Sequence, residues 1–258
     1  MLINFFSRYK LVLLISFTLF NLTPQAHTDS NSSWYNLSQE WLIMLNAPTN
    51  TTWNNYLLGL GWIASIGVAL KYDTTGYNKI QKQRNDWQDC CMPYITQLGD
   101  GKLQLASFSL LYTLGSEYEQ KVAKQAVEGL INVGIISLIS KGIFRATRPS
   151  VNRNQRYWFE PSFKHTSFPS GHTMTAFCSA VILGQAYSIE WLTLPLATLV
   201  AYSRIYNKRH WPSDVIAGAG LGIFIGYTVV HFHNNKTNPK LISWHDNDNI
   251  YAGLNWEF

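Results

Sequence analysis

Apolar residues in this chain fall into blocks at helical spacing, separated by polar stretches. The segments 57–70, 103–114, 126–144, 173–187, 192–206 and 215–232 each read as a helix. No strand-like alternation occurs before residue 240, so the pattern predicts an all-α core, a helical bundle of about six helices. Residues 73–89 are polar and charged and read as a loop or an exposed helix. Residues 150–168 lack periodicity, carry Arg153, Arg156, Lys164 and His165, and read as a loop. Beyond residue 234 the chain is polar and then aromatic; 241–244 and 250–258 could pair as a β-hairpin across 245–249, marginal alone, so a strap on the domain or a loose end is the expectation. The chain thus divides into a leader (1–26), an amphipathic region with one apolar helix (27–99), a core (100–233) and a tail (234–258).

The leader reading rests on Arg8 and Lys10 ahead of an apolar run at 11–20, followed by a break at Thr23-Pro24-Gln25-Ala26. That order resembles a secretory signal, and the run is short for a span, which needs about 20 residues; an uncleaved anchor is the alternative. Either way the remainder is expected outside the cytoplasm. Residues 215–232 are the most membrane-like, with no Asp, Glu, Lys or Arg in 18 residues. Gly218, Gly222 and Gly226 recur there every fourth position, a pattern that lets helix backbones approach closely, in a membrane or in a soluble bundle.

Composition sharpens this picture only slightly. Charged residues make up 14% of the 258, against about 25% in ordinary soluble domains, and aromatics another 14%. Few charges and many Trp and Tyr suit a membrane interface, while the mean hydropathy of −0.07 speaks against a wholly embedded chain. The net charge of +5 is modest and no basic run resembles a nucleic-acid arm. Cys90 and Cys91 are neighbours and Cys178 sits in an apolar stretch, so neither a disulfide framework nor a metal-type spacing is present.

The chemistry concentrates in three blocks. In Lys141-x6-Arg148-Pro149 the cations are seven apart, almost two helical turns, so on one continuous helix both project from one face and Pro149 ends it. An ammonium and a planar guanidinium suit different oxygens of one phosphate, although basic residues near a helix end also serve the dipole. Arg145 lies on nearly the same face. Pro169-Ser170-Gly171-His172 precedes an apolar helix that Ser170 or Thr173 can cap. Gly171 lets an anion reach the backbone, and His172 stands where it could transfer a proton; an ordinary capped turn with a surface His is the plainer reading. In Ser203-Arg204-x5-His210-x3-Asp214, Arg204 offers another clamp and Pro212 suits a helix start. Asp214, one turn after His210, can fix its tautomer and leave the other nitrogen nucleophilic, or simply favour the helix dipole. His231, His233 and His245 lack such companions and read as incidental.

Taken together, the three blocks resemble the signature of the type 2 phosphatidic acid phosphatase / vanadium haloperoxidase superfamily at every motif position, and the surrounding helices extend the likeness over roughly 100–232. The resemblance implies an all-helical core with the site at one end and catalysis through a phosphohistidine, with no metal and no cofactor. It makes His210 the nucleophile, Asp214 its orienting partner and His172 the acid for the leaving group. It makes Lys141, Arg148, Ser170, Gly171 and Arg204 the phosphate-binding set. The expected substrate is a phosphorylated lipid, a polyprenyl diphosphate such as undecaprenyl diphosphate or a phospholipid phosphate, met on the periplasmic side of a membrane. A soluble secreted acid phosphatase is the alternative; a haloperoxidase or a non-catalytic binding protein on this fold fits less well.

Overall fold

The computed structural model describes residues 53–161, 166–235, 240–246 and 249–255. The leader at 1–26 and the first part of the amphipathic region, 27–52, lie outside them. Helix α1 spans Trp53–Lys82, α2 Asp86–Ile95, a 3-10 turn Thr96–Gly99, α3 Gly101–Leu114, α4 Glu117–Phe144, α5 Gly171–Tyr187, α6 Glu190–Tyr206 and α7 Pro212–Asn235. Strands β1 (Lys240–Asp246) and β2 (Asn249–Asn255) pair antiparallel, with Ser243 opposite Ala252, as the tail pattern allows.

Three boundaries differ from the sequence reading. The polar stretch from 73, expected as a loop or an exposed helix, is helical, although not exposed at every position. It continues α1 to Lys82, because Asp73 and Tyr77 turn inward and are buried, and Lys79 and Lys82 complement the helix C-terminus. Residues 86–95 form a separate helix that starts where the Asn85 side chain accepts from the Gln88 amide. Helix α4 begins nine residues before the apolar run at 126, on a capping box between Ser116 and Glu119. It ends at Phe144, where Arg145 adopts a left-handed conformation (φ 40°, ψ 43°) and its N–H returns to the Lys141 carbonyl. Pro149 therefore does not end this helix, and Arg148 does not lie on it.

Helix α5 is the axis of the bundle; 11 of its 17 residues are buried. On one side Met174, Cys178 and Ile182 pack with Phe108 of α3, Val122 and Val133 of α4 and Ile225 and Val229 of α7. On the other, Ala176, Phe177 and Ala180 meet Tyr77 of α1, Val200 and Ile205 of α6, and Trp211. Helix α7 lies almost against the α5 backbone. A Cβ on Gly218 would come within 2.7 Å of the Ser170 carbonyl, on Gly222 within 2.4 Å of that of Met174, and on Gly226 within 2.9 Å of that of Cys178. The glycine stripe is thus the contact face between α5 and α7. His233, read as incidental, pairs with the buried Glu128 of α4 at 2.6 Å.

The outside of the bundle is unusually apolar. Leu57, Leu58, Leu60, Ile63 and Val68 on α1, Leu138, Ile139 and Ile143 on α4, and Trp191 on α6 are all more than half exposed. Glu117–Phe144 and Pro212–His233 are long and apolar enough to cross a membrane.

Candidate active site

Because α4 to α7 alternate in direction, the C-terminal ends of α4 and α6 meet the N-terminal ends of α5 and α7 at one end of the bundle. That geometry gathers the three blocks. A backbone bond from the Ser170 amide to the Asp214 carbonyl (3.0 Å) ties the second block to the third. The third is closed by the amides of Arg209 and His210, both returning to the Arg204 carbonyl at 3.0 and 3.3 Å.

Lys141 sits in the last turn of α4 and donates to Ser137 Oγ at 2.7 Å. A Cβ on Gly171 would stand 3.3 Å from its ammonium, so the glycine keeps the cation against the start of α5. Arg148 reaches the same place from beyond the helix end, where its Nε donates to the Thr166 carbonyl at 3.1 Å. The bridge between Thr147 and Thr166 holds that segment against the second block. Arg204, buried near the end of α6, donates to Thr96 Oγ1 at 2.6 Å. Ser170 occupies the N-cap of α5, but its side chain does not cap the helix; it accepts from Thr173 Oγ1 at 2.8 Å.

These cations crowd one another. Burial, and then the neighbouring Arg148 and Arg209, lowers the Arg204 pKa to about 10. Burial and Arg209 likewise lower that of Arg148. Buried like charges beside a helix N-terminus mark a site suited to an anion. Arg209, exposed at the rim, belongs to this field although no motif position assigns it.

The two histidines differ. His210 is buried, with Nδ1 3.4 Å from Asp214 Oδ2. Burial lowers its pKa to about 3 despite the pull of Asp214, so the ring is neutral at physiological pH. With the proton on Nδ1 facing the carboxylate, the Nε2 lone pair is left for attack. His172, in the first turn of α5, has a side chain 30% exposed and, among the described residues, pairs with one carboxylate, Asp100 Oδ2 at 3.6 Å. Burial, then Arg204, lowers its pKa to about 4.

The structure also shows what the motif reading left out. Both oxygens of Asp214 are occupied: Oδ2 accepts from the Trp211 amide at 2.8 Å and from the Ser167 hydroxyl, and Oδ1 from Arg156 at 2.7 Å. Arg156 is one of the loop charges at 150–168, and nothing local in the sequence marks it as a partner. Asp73, 141 residues before Asp214, completes the group from α1 by its contacts with Arg156 and Ser213.

Residues 123–238 match the family model described as the PAP2 superfamily. An undecaprenyl-diphosphatase of Sulfolobus acidocaldarius is 34% identical over 125 residues, 47% of this chain and 60% of that protein, so the match spans less than two thirds of the relative's length. The crystal structure of Aquifex aeolicus LpxE has a similar fold, with a TM-score of 0.52, 24% identity and coverage of 62% of this chain and 94% of that one. So does a transmembrane PAP2 type phosphatidylglycerolphosphate phosphatase from Bacillus subtilis, with a TM-score of 0.51, 20% identity and coverage of 78% and 98%.

Proposed function

We propose, on the premise that residues 123–238 of this chain belong to the PAP2 superfamily, that the protein is a membrane-associated phosphatase. It hydrolyses a lipid phosphate or diphosphate of the undecaprenyl diphosphate or phosphatidic acid type, through a phosphohistidine and on the periplasmic side. The observation that carries this reading is the convergence at one bundle end of His210 backed by Asp214, of His172, and of Lys141, Arg148 and Arg204.

In this mechanism the cations and the first amides of α5 bind the non-bridging oxygens and stabilise the charge that develops on them. They provide the positive charge of the site, so the reaction proceeds without a metal. His210 Nε2 attacks phosphorus as the bond to the leaving oxygen breaks, and His172 gives that oxygen a proton. Asp214 stabilises the positive charge that forms on the His210 ring. His172, now neutral, takes a proton from water as the water attacks phosphorus and releases His210. A bound phosphoryl dianion offsets the cations around His172, so its pKa rises when substrate binds, which is when a proton donor is needed.

The lipid reading is supported by the exposed leucines and isoleucines of α1 and α4, a flank that suits acyl chains and is costly in water. The periplasmic side rests on the leader-like start of the sequence. Membranes washed with carbonate should retain the protein and release phosphate from undecaprenyl diphosphate in preference to p-nitrophenyl phosphate, with EDTA present and with inhibition by vanadate. Extraction by carbonate together with preference for the soluble ester would favour a soluble acid phosphatase, and loss of activity in EDTA would refute the metal-free mechanism. Cys90, exposed on α2, should react with a membrane-impermeant maleimide in spheroplasts if the site faces outward.

A further inference from the structure

Behind the catalytic end lies a buried charge chain that the reaction as written does not use. Arg156 Nη2 donates to Asp214 Oδ1 at 2.7 Å; Arg156 Nη1 lies 3.2 Å from Asp73 Oδ2 and donates to Ser213 Oγ at 2.8 Å. Asp73 accepts from both the amide and the hydroxyl of Ser213, at 2.9 and 2.8 Å, so it holds the residue just before Asp214. The guanidinium lies 4.9 Å from the ring centre of Trp158 and 5.5 Å from that of Trp211. The side chains of Arg156, Asp73 and Asp214 are only 7%, 6% and 0% exposed. Three ions removed from water cost several kcal/mol each unless they are paired. An apolar cluster would stabilise this spot as well or better, so the arrangement is better explained by what it does to Asp214.

Resting on the phosphatase reading, we propose that Arg156 and Asp73 are positioning residues for the nucleophile: Asp73 fixes Arg156 and the first turn of α7, and Arg156 fixes the Asp214 carboxylate so that its other oxygen meets His210 Nδ1. Asp214 would otherwise be a buried carboxylate with one oxygen unpaired, free to rotate or to take up a proton. Either change removes the acceptor at Nδ1, and the ring proton moves to Nε2, the atom that must attack. Neither Arg156 nor Asp73 binds the phosphate in this arrangement. Asp73 lies 50 residues before the family match begins, so α1 becomes part of the catalytic unit.

The test is made on the purified full chain in detergent, with undecaprenyl diphosphate as substrate and inorganic phosphate binding as an independent report on the phosphate cradle. Arg156→Gln should lower kcat about 100-fold with KM and inorganic phosphate affinity within threefold of wild type, Arg156→Lys should regain about tenfold of that loss, and Asp73→Asn should lose about tenfold. The double variant should be no worse than Arg156→Gln alone, since both act through one carboxylate. The proposal is overturned if Arg156→Gln keeps kcat within threefold, if the two losses multiply, or if kcat and inorganic phosphate binding fall together as in general unfolding. Should wild-type protein prove inert toward phosphate esters, the function reading fails. The positioning claim is then judged on the 15N spectrum of histidine-labelled protein. A shift of the His210 proton from Nδ1 to Nε2 in Arg156→Gln sustains it, and an unchanged ring defeats it.

Discussion

His210 and His172 face the same cradle from two sides, but the protein holds them in opposite ways. His210 is sealed in and backed by Asp214, whose two oxygens take Arg156, Ser167 and the Trp211 amide. His172 stands partly open to solvent with only Asp100 at 3.6 Å. A nucleophile must start neutral, with one lone pair aimed, and that state is set before substrate arrives. An acid must be charged only when a leaving group is present, and in the proposed mechanism the substrate's own charge does most of that tuning. Fixed geometry on one side and responsive electrostatics on the other make the two residues separable by experiment.

The largest effect falls on the fixed side. His210→Ala should abolish phosphate release from every substrate, a loss of three orders of magnitude or more; residual turnover of even a few per cent would break the distinction. His172→Ala should cost about 10²–10⁴-fold on undecaprenyl diphosphate. In the burst of p-nitrophenol from p-nitrophenyl phosphate, whose leaving group departs without a proton and before the water step, it should cost roughly tenfold or less. A burst slowed as much as turnover of undecaprenyl diphosphate would show that His172 serves binding rather than proton transfer.

The pH dependence sharpens the same contrast. In the free protein His172 titrates at about 4, and the bound phosphoryl group should raise that value. The acid-requiring limb should therefore lie at higher pH in kcat than in kcat/KM, both falling as pH rises; coincident limbs would mean the substrate does not tune His172. Stability gives the complementary sign. Both histidines have folded pKa values well below the ordinary value of about 6.5, so the unfolded chain binds more protons between roughly pH 4 and 6.5. Thermal stability should then fall as pH drops through that window, and flatten in His210→Gln if the buried ring is the main source.

The smallest effect concerns the scaffold that both histidines share. Gly222→Ala would place a methyl 2.4 Å from the Met174 carbonyl and should destabilise by about 1–3 kcal/mol. Gly134→Ala on α4 meets nothing within 4 Å and should be neutral or stabilising by up to about 1 kcal/mol. A melting temperature unchanged in Gly222→Ala would contradict the close approach of α5 and α7.

How much of this is legible in the sequence follows from the range of the interactions. The helices of the core announce themselves through apolar period, and the three blocks through residue types whose chemistry is complementary. The start of α4 was equally readable in the Ser116–Glu119 capping box but was masked by the polar face that follows it. Local reasoning misplaced Arg148, because a left-handed Arg145, rather than Pro149, ends α4 and turns the chain toward Thr166. It also places Asp73 in a loop or an exposed helix and Arg156 in a loop, without their partners. Their partners, Ser213 and Asp214, are 140 and 58 residues away, and no spacing rule reaches that far. The motif that holds His210 is local, whereas the support behind the Asp214 carboxylate is tertiary.

The covalent step can be tested directly. Full-length protein mixed with undecaprenyl diphosphate carrying a 32P terminal phosphate and quenched in alkali within milliseconds should carry label that is stable to base and labile to acid. That label should sit on the peptide containing His210 and be absent in His210→Ala. Label on any other residue, or steady turnover with none trapped under conditions where His172→Ala slows its release, would contradict attack by His210.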